Sequence, residues 1–253
     1  MSDIIEEMKD KVALESSTYI KSNCTIGLGS GTTVRYLIQH IGEKINNSTL
    51  ENVEFVCSSK ETEIICKKNQ IRYVSVDNVE SISVYLDGAD EITNTGLAVK
   101  GLGGALTQEK ILRKISNKFI VIITSNKQVT FLGEKSPIPV EVLKFGYKIT
   151  MKKLLQLNSD KFSIKNLSIR KKHDEEGRFV SDNNNYIIDI FLEKPINSEK
   201  TFLMKIDNSL KSITGVVETG LFLDPADIIL IGDIDRKEIR KIDVNKRVKI
   251  DFF

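Results

Sequence analysis

The stretch Gly27-Leu28-Gly29-Ser30-Gly31-Thr32-Thr33-Val34 follows the short apolar run Cys24-Thr25-Ile26 and precedes a segment with helical patterning. A buried strand, a glycine-rich turn and a helix in succession form the opening unit of an α/β fold that takes a ligand at the turn. Its spacing excludes two nucleotide loops: a dinucleotide fingerprint needs a third glycine where Thr32 stands, and a P-loop needs Gly-Lys before its hydroxyl residue. What remains is a turn whose glycines let the backbone approach a ligand closely and whose helix start favours an anion. Ser30, Thr32 and Thr33 add hydroxyl donors. A single phosphate group suits this set better than a pyrophosphate. The helix dipole contributes only about 0.3 to 1 kcal/mol, so the donors must supply most of the affinity. Taken alone, the same stretch also serves as a tight turn and helix start with no ligand.

Working outward, residues 3 to 21 carry apolar positions at helical spacing, and the loop is followed by a helix from Thr32 to Ile45. A strand at Val53 to Cys57, a helix at Ser59 to Asn69 and a strand at Ile71 to Val76 continue the alternation. Val84 to Asp87 and Phe119 to Thr124 are apolar enough to be buried on both faces, as parallel strands are. The pattern predicts a doubly wound, Rossmann-like α/β sheet. Pro137 and Pro139 then mark a change to the order strand, helix, strand, strand, helix, strand, which predicts a smaller inserted α+β domain of the ferredoxin-like, split βαβ type. The apolar run Asp227 to Ile231 rejoins the first sheet. The expected division is therefore 1–136 plus 224–253 for the Rossmann-like domain and 137–223 for the insertion, with a charged tail after Gly232 that has no assigned role.

The 253-residue chain balances 37 basic against 35 acidic residues, which gives no general attraction to nucleic acid or membrane, so an anion must be caught locally. Its three cysteines form no C-x-x-C pair, and Cys24 and Cys57 lie in apolar runs, as buried free thiols do. MSDIIEEMKDK lacks the apolar core of a signal peptide, and no apolar run is long enough to span a bilayer. A reducing, aqueous compartment, the cytoplasm, is the expected location.

Two further glycine-containing turns carry chemistry. YLDGADEI places Asp87 at a strand end, with Gly88, Ala89, Asp90 and Glu91 behind it. Carboxylates crowded there repel one another, which can raise a pKa and create a proton donor or acceptor; an Asp-Gly turn with solvated acids is the plainer reading. Lys100-Gly101-Leu102-Gly103-Gly104-Ala105-Leu106-Thr107-Gln108-Glu109-Lys110 sets a cation beside backbone amides, suited to an anionic oxygen. Thr107 reads as the N-cap of a helix running to Ser116, with Glu109 in its first turn, where an acid can also simply complement the dipole. Lys127, after FIVIITSN, is either another anion contact or a solvated lysine. His40 and His173 belong to no catalytic or metal-ligand arrangement and read as surface residues. Carboxylates and lysines without a catalytic histidine, metal box or cofactor fingerprint leave proton transfer on a phosphorylated metabolite as the chemistry that fits.

At these residues the chain resembles the A-type ribose-5-phosphate isomerase family. GLGSGTT, YLDGADEI and KGLGGALTQEK match its phosphate loop, aspartate loop and Lys/Glu segment in order, and the likeness runs on through TSNKQV, PIPVEV, FVSDNNNYIIDI and TGVVETGLF. The resemblance implies interconversion of ribose 5-phosphate and ribulose 5-phosphate through an enediolate in the non-oxidative pentose phosphate pathway, with no metal or organic cofactor. It implies Glu109 as the base, Asp87 and Asp90 as aids to ring opening and proton movement, and Lys100 as the partner of developing negative charge. Implied substrate contacts are Ser30, Gly31, Thr32 and Thr33, then Asp87, Gly88, Ala89 and Asp90, then Lys100, Gly101, Leu102 and Gly103, with Lys127 and Lys9. A homo-oligomer, dimer or tetramer, is also implied. The loop reads GSGTT where the family often has GTGST, and Leu102 stands where it often has a small residue. Two rivals are weighed against this. A non-catalytic sugar-phosphate sensor would bring a helix-turn-helix segment, and a deaminase of the wider isomerase, deaminase and CoA-transferase group would bring a histidine base.

Overall fold

The computed structural model describes residues 2–172, 176–197 and 199–244. In chain order the elements are α1 (Ser2–Ser16), β1 (Thr25–Leu28), α2 (Thr32–Asn46), β2 (Glu54–Cys57), α3 (Lys60–Lys68), β3 (Val84–Asp87), β4 (Glu91–Ile92), β5 (Ala98–Val99), α4 (Leu106–Lys114) and β6 (Phe119–Thr124). Then come β7 (Ile138–Val142), α5 (Tyr147–Leu155), β8 (Ile164–Ile169), β9 (Tyr186–Leu192), α6 (Lys200–Lys211), β10 (Val216–Thr219), β11 (Leu221–Phe222), β12 (Ile228–Asp233) and β13 (Glu238–Asp243). The described residues fall into two compact units, one of 2–89, 108–128 and 225–244 and one of 90–107 and 129–224.

The first unit is a six-stranded sheet in the order β2-β1-β3-β6-β12-β13. Its first five strands are parallel and β13 is antiparallel at the edge. The core on one face packs Val12 and Ala13 of α1 and Leu37, Ile38 and Ile41 of α2 with Ile26, Leu28, Leu86, Ile120 and Ile122 of the strands. All six residues of β6 and of β12 are buried, which explains their unbroken apolar runs. The chain goes from β1 outward to β2 and returns to place β3 on the other side of β1. This reversal opens a crevice at the carboxyl ends of β1 and β3.

The second unit carries a four-stranded antiparallel sheet in the order β10-β7-β9-β8, with α5 between β7 and β8 and α6 between β9 and β10, the ferredoxin-like arrangement. A three-stranded sheet, β11-β5-β4, completes it. The sequence-based boundary at 137 lies inside this unit, which takes in residues 90–107 because β5 pairs with both β4 and β11.

Five local expectations are corrected. Ile71 to Val76 is not a strand: Tyr73 makes a single bridge to Phe55, and the chain turns through a 3-10 helix at Val76–Asn78 whose start is held by the Ser75 hydroxyl. Thr107 is not an N-cap; α4 already begins at Leu106, and the Thr107 hydroxyl bonds to the Glu141 carboxylate. His40 is not a surface residue, since its side chain is only 14% exposed and its Nε2 lies 2.7 Å from Asp10 Oδ1; His173 lies outside the described residues. Within the charged tail after Gly232, Glu238–Asp243 pairs antiparallel with β12 as β13. Cys24 and Cys57 are half-buried rather than buried, because Cys24 sits just before β1 and Cys57 ends the edge strand β2, while Cys66 on α3 is buried; all three are free thiols.

Candidate active site

In the first unit the site grows from Gly29, at the carboxyl end of β1. Its N–H donates to the Leu86 carbonyl of β3 at 2.8 Å. A Cβ at this position would stand 2.0 Å from Asp87 Cγ, so only glycine lets the loop pass this close to the carboxyl group. α3 braces the turn from the other side: Ser59 caps that helix, and the buried Thr62 hydroxyl donates to the Gly29 carbonyl at 2.7 Å. Gly31 sits at φ +91° as the N-cap of α2 and offers no side-chain cap, so no capping side chain covers the first N–H groups of α2, beside the exposed Thr32 and the half-buried Thr33.

Asp87 is fully buried at the end of β3. Its Oδ1 accepts the N–H of Ser30 at 3.1 Å and of Gly88 at 2.7 Å, and its Oδ2 accepts the Tyr85 hydroxyl. Glu109, in the first turn of α4, is 2% exposed, and the Ser30 hydroxyl donates to its Oε1 at 2.6 Å. Ser30 therefore binds both carboxylates, one through its backbone and one through its side chain. Burial, and then the charges of Asp87 and Glu109, push the Tyr85 phenol well above its ordinary pKa, so it remains a donor. Lys127 lies in the 3-10 turn after β6, the strand beside β3, and is half-buried. Lys9 lies on α1 and pairs with Glu6 at 2.7 Å.

In the second unit, Asp90 Oδ2 accepts the Leu102 N–H at 2.9 Å, which joins the aspartate loop to the lysine turn. Lys100 is 3% exposed, with its N–H on the Gly220 carbonyl at 2.9 Å and its Nζ 5.4 Å from the centre of the Phe222 ring. The left-handed positions of the turn fall on Gly101 and Gly104, so Leu102 brings no backbone strain, and its side chain is exposed.

Two residues missed in the sequence, Arg170 and Glu141, support these loops, and a third, Glu91, serves elsewhere. Arg170 donates to the Gly101 and Leu102 carbonyls at 2.7 Å each and is itself fixed by Asp189 at 3.0 Å; in the sequence it opens a run of charges that reads as solvated. Glu141, fully buried in β7, binds Thr107, Ser181 at 2.5 Å and Asn185 at 3.1 Å; a lone acid inside IPVEV was its only signal. Glu91, grouped by sequence with Asp87, instead accepts backbone N–H groups from Gly133 at 2.7 Å, Ser136 at 2.5 Å and Lys135. Among the described residues no group of three or more His, Cys, Asp or Glu is arranged to hold a metal, and no helix is long and apolar enough to cross a membrane.

A doubly wound sheet with an open helix start and two buried carboxylates at its switch point defines an α/β protein equipped to hold a small anion beside acid–base groups. The family model of ribose 5-phosphate isomerase A, also called phosphoriboisomerase A, matches residues 54–236. Ribose-5-phosphate isomerase A of Thermococcus kodakarensis is 35% identical over 231 residues, 90% of this chain and 95% of that protein. The structure of ribose 5-phosphate isomerase from Plasmodium falciparum superposes with a TM-score of 0.86 at 32% identity, covering 94% of this chain and 98% of that one. A D-ribose-5-phosphate isomerase in complex with phospho-erythronic acid superposes equally, with a TM-score of 0.86 at 32% identity, covering 94% and 99%. The chain belongs to the ribose 5-phosphate isomerase A family, whose members are isomerases.

Proposed function

We infer that the chain interconverts D-ribose 5-phosphate and D-ribulose 5-phosphate through an enediolate, as an aldose–ketose isomerase of the non-oxidative pentose phosphate pathway. The observation that carries this reading is the 2.6 Å bond from Ser30, in the anion loop, to the buried Glu109 carboxylate. It ties a phosphate-sized cradle to a base. Glu109 takes the C2 proton of the open-chain aldose and returns it to C1, while a second proton passes from O2 to O1. Asp87 and Asp90 assist ring opening and the proton movement at these oxygens, and Lys100 faces the charge that develops on them. A placed base contributes about 10²- to 10⁴-fold and an oxyanion partner roughly 10²- to 10³-fold. Ser30, Gly31, Thr32, Thr33, Lys127 and Lys9 hold the phosphate end, and Gly88, Ala89, Gly101, Leu102 and Gly103 line the sugar.

The relative solved with phospho-erythronic acid supports the substrate class, because a phosphorylated sugar acid carries its negative charge where an enediolate would. The proton transfer as written uses only carboxylates and a lysine, so the reading is metal-free. The same reading takes the protein as a cytoplasmic homo-oligomer. Phe145, 94% exposed, and Ile149, 68% exposed, are apolar surface of the kind that copies cover, and sedimentation tests the oligomeric state. Purified protein mixed with ribose 5-phosphate in the presence of EDTA forms ketose. Glu109→Gln stops this, by at least about 10²-fold, while ribose 5-phosphate still binds. Undiminished turnover in that variant removes Glu109 from the chemistry.

A further inference from the structure

Tyr85 belongs to none of the turns that carry the proposed chemistry, and within VYLD it reads as core filling. It is wholly buried, and its ring occupies a slot whose walls stand on the two neighbouring strands. On the β1 side its register partner is Gly27, where a Cβ would come 2.7 Å from Tyr85 Cδ2, so the missing side chain makes the room. On the β6 side its partner is Phe119, and the two rings stack with centroids 5.2 Å apart and planes 14° apart. A ring clamped between a backbone and another ring keeps one orientation. Side chains two residues apart on a strand share a face, so that orientation aims the hydroxyl at Asp87, where it donates to Oδ2. The opposite oxygen is held by the Ser30 and Gly88 N–H groups.

A buried tyrosine hydroxyl needs an acceptor, and a backbone carbonyl would satisfy it. Here the acceptor is the carboxylate assigned to ring opening and proton movement. We propose that Tyr85 is a positioning residue for the isomerisation: its clamped hydroxyl sets the orientation of the Asp87 carboxylate. The proposal rests on the isomerase reading above. A hydrogen bond donated to a carboxylate also favours its charged form, so losing that bond raises the pH at which the group takes up a proton.

Tyr85→Phe removes one oxygen and leaves the ring in its slot. With ribose 5-phosphate, kcat is expected to fall roughly tenfold to a hundredfold, the range for a hydrogen bond to a charged group. KM stays within about twofold, since the phosphate contacts are untouched, and the acid limb of kcat/KM moves to higher pH. Glu109 is linked to Asp87 through Ser30, so the same substitution is also made on Asp87→Asn, where it should have little further effect. A folded Tyr85→Phe with unchanged kcat and acid limb overturns the proposal, as does an equal loss in the Asp87→Asn background. If Tyr85→Phe does not fold, 3-fluorotyrosine placed at 85 keeps ring and hydroxyl while making the phenol more acidic. It should move the acid limb to lower pH and change kcat, and no change in either overturns the proposal. Wild-type protein that forms no ketose defeats the isomerase reading instead, a result distinct from both.

Discussion

Asp87 and Glu91 come from one short stretch, YLDGADEI; both are completely buried, and both accept backbone N–H groups. Their uses differ. Glu91 takes its amides from a single loop, those of Gly133, Lys135 and Ser136 among them, and so pins the segment that leads into β7. Asp87 takes one amide from Ser30 in the glycine-rich loop, one from Gly88 beside it in the chain, and a hydroxyl from a clamped ring. A carboxylate that only gathers backbone is a fastening. One whose partners include a clamped side-chain hydroxyl beside an open helix start suits the reacting role proposed for Asp87. Burial is the same in both, and the partners separate the two roles.

The comparison can be broken most sharply at Asp87. Asp87→Asn should lower kcat for ribose 5-phosphate by about 10²-fold or more, with little change in melting temperature. Glu91→Gln should leave kcat within about twofold but cost ~1 to 3 kcal/mol, because a Gln amide nitrogen cannot accept the N–H groups it then faces. In a chain of this size that is a melting shift of a few degrees for each kcal/mol, measurable by calorimetry. If the two variants exchange these signatures, the division of labour is wrong. The smallest effect is in pH dependence. Burial raises the Glu91 pKa above its ordinary 4.5 despite the backbone bonds. Its stabilising contribution is therefore complete below that value and is lost as pH rises through the folded pKa. Urea unfolding of wild type and Glu91→Gln should show their stability gap narrowing from pH 4.5 toward neutrality.

Much of this molecule is legible in the sequence because its main periodicities are strong. The apolar runs Phe119 to Ile123 in β6 and Ile228 to Ile231 in β12 announce a two-sided parallel sheet, and the strand–helix order after Pro137 announces the four-stranded antiparallel sheet with its two helices. The turns holding Ser30, Asp87 and Lys100 stand out because glycines punctuate strand and helix ends. What escaped depends on long-range partners. Thr107 looks like a cap until Glu141 is seen to claim its hydroxyl. Arg170 looks solvated until the Gly101 and Leu102 carbonyls are found at its guanidinium. Glu91 looks like a third site carboxylate because proximity along the chain says nothing about which way a side chain leaves it. Ile71 to Val76 has strand composition but only one bridging partner, and a strand exists only where a ladder does.

β13 holds a consequence of another kind. It pairs with β12 residue by residue from Ile228↔Asp243 to Asp233↔Glu238, and Glu238, Arg240, Lys241 and Asp243 stud it with charge. Cut the chain after Gly232, and the rim of the sheet becomes bare backbone beside Ile228, Ile229, Leu230 and Ile231, all buried in the intact fold. Such a rim invites another strand from any molecule that carries one. β13 is thus a hem: a charged strand, in place of a bare apolar one, ends the sheet.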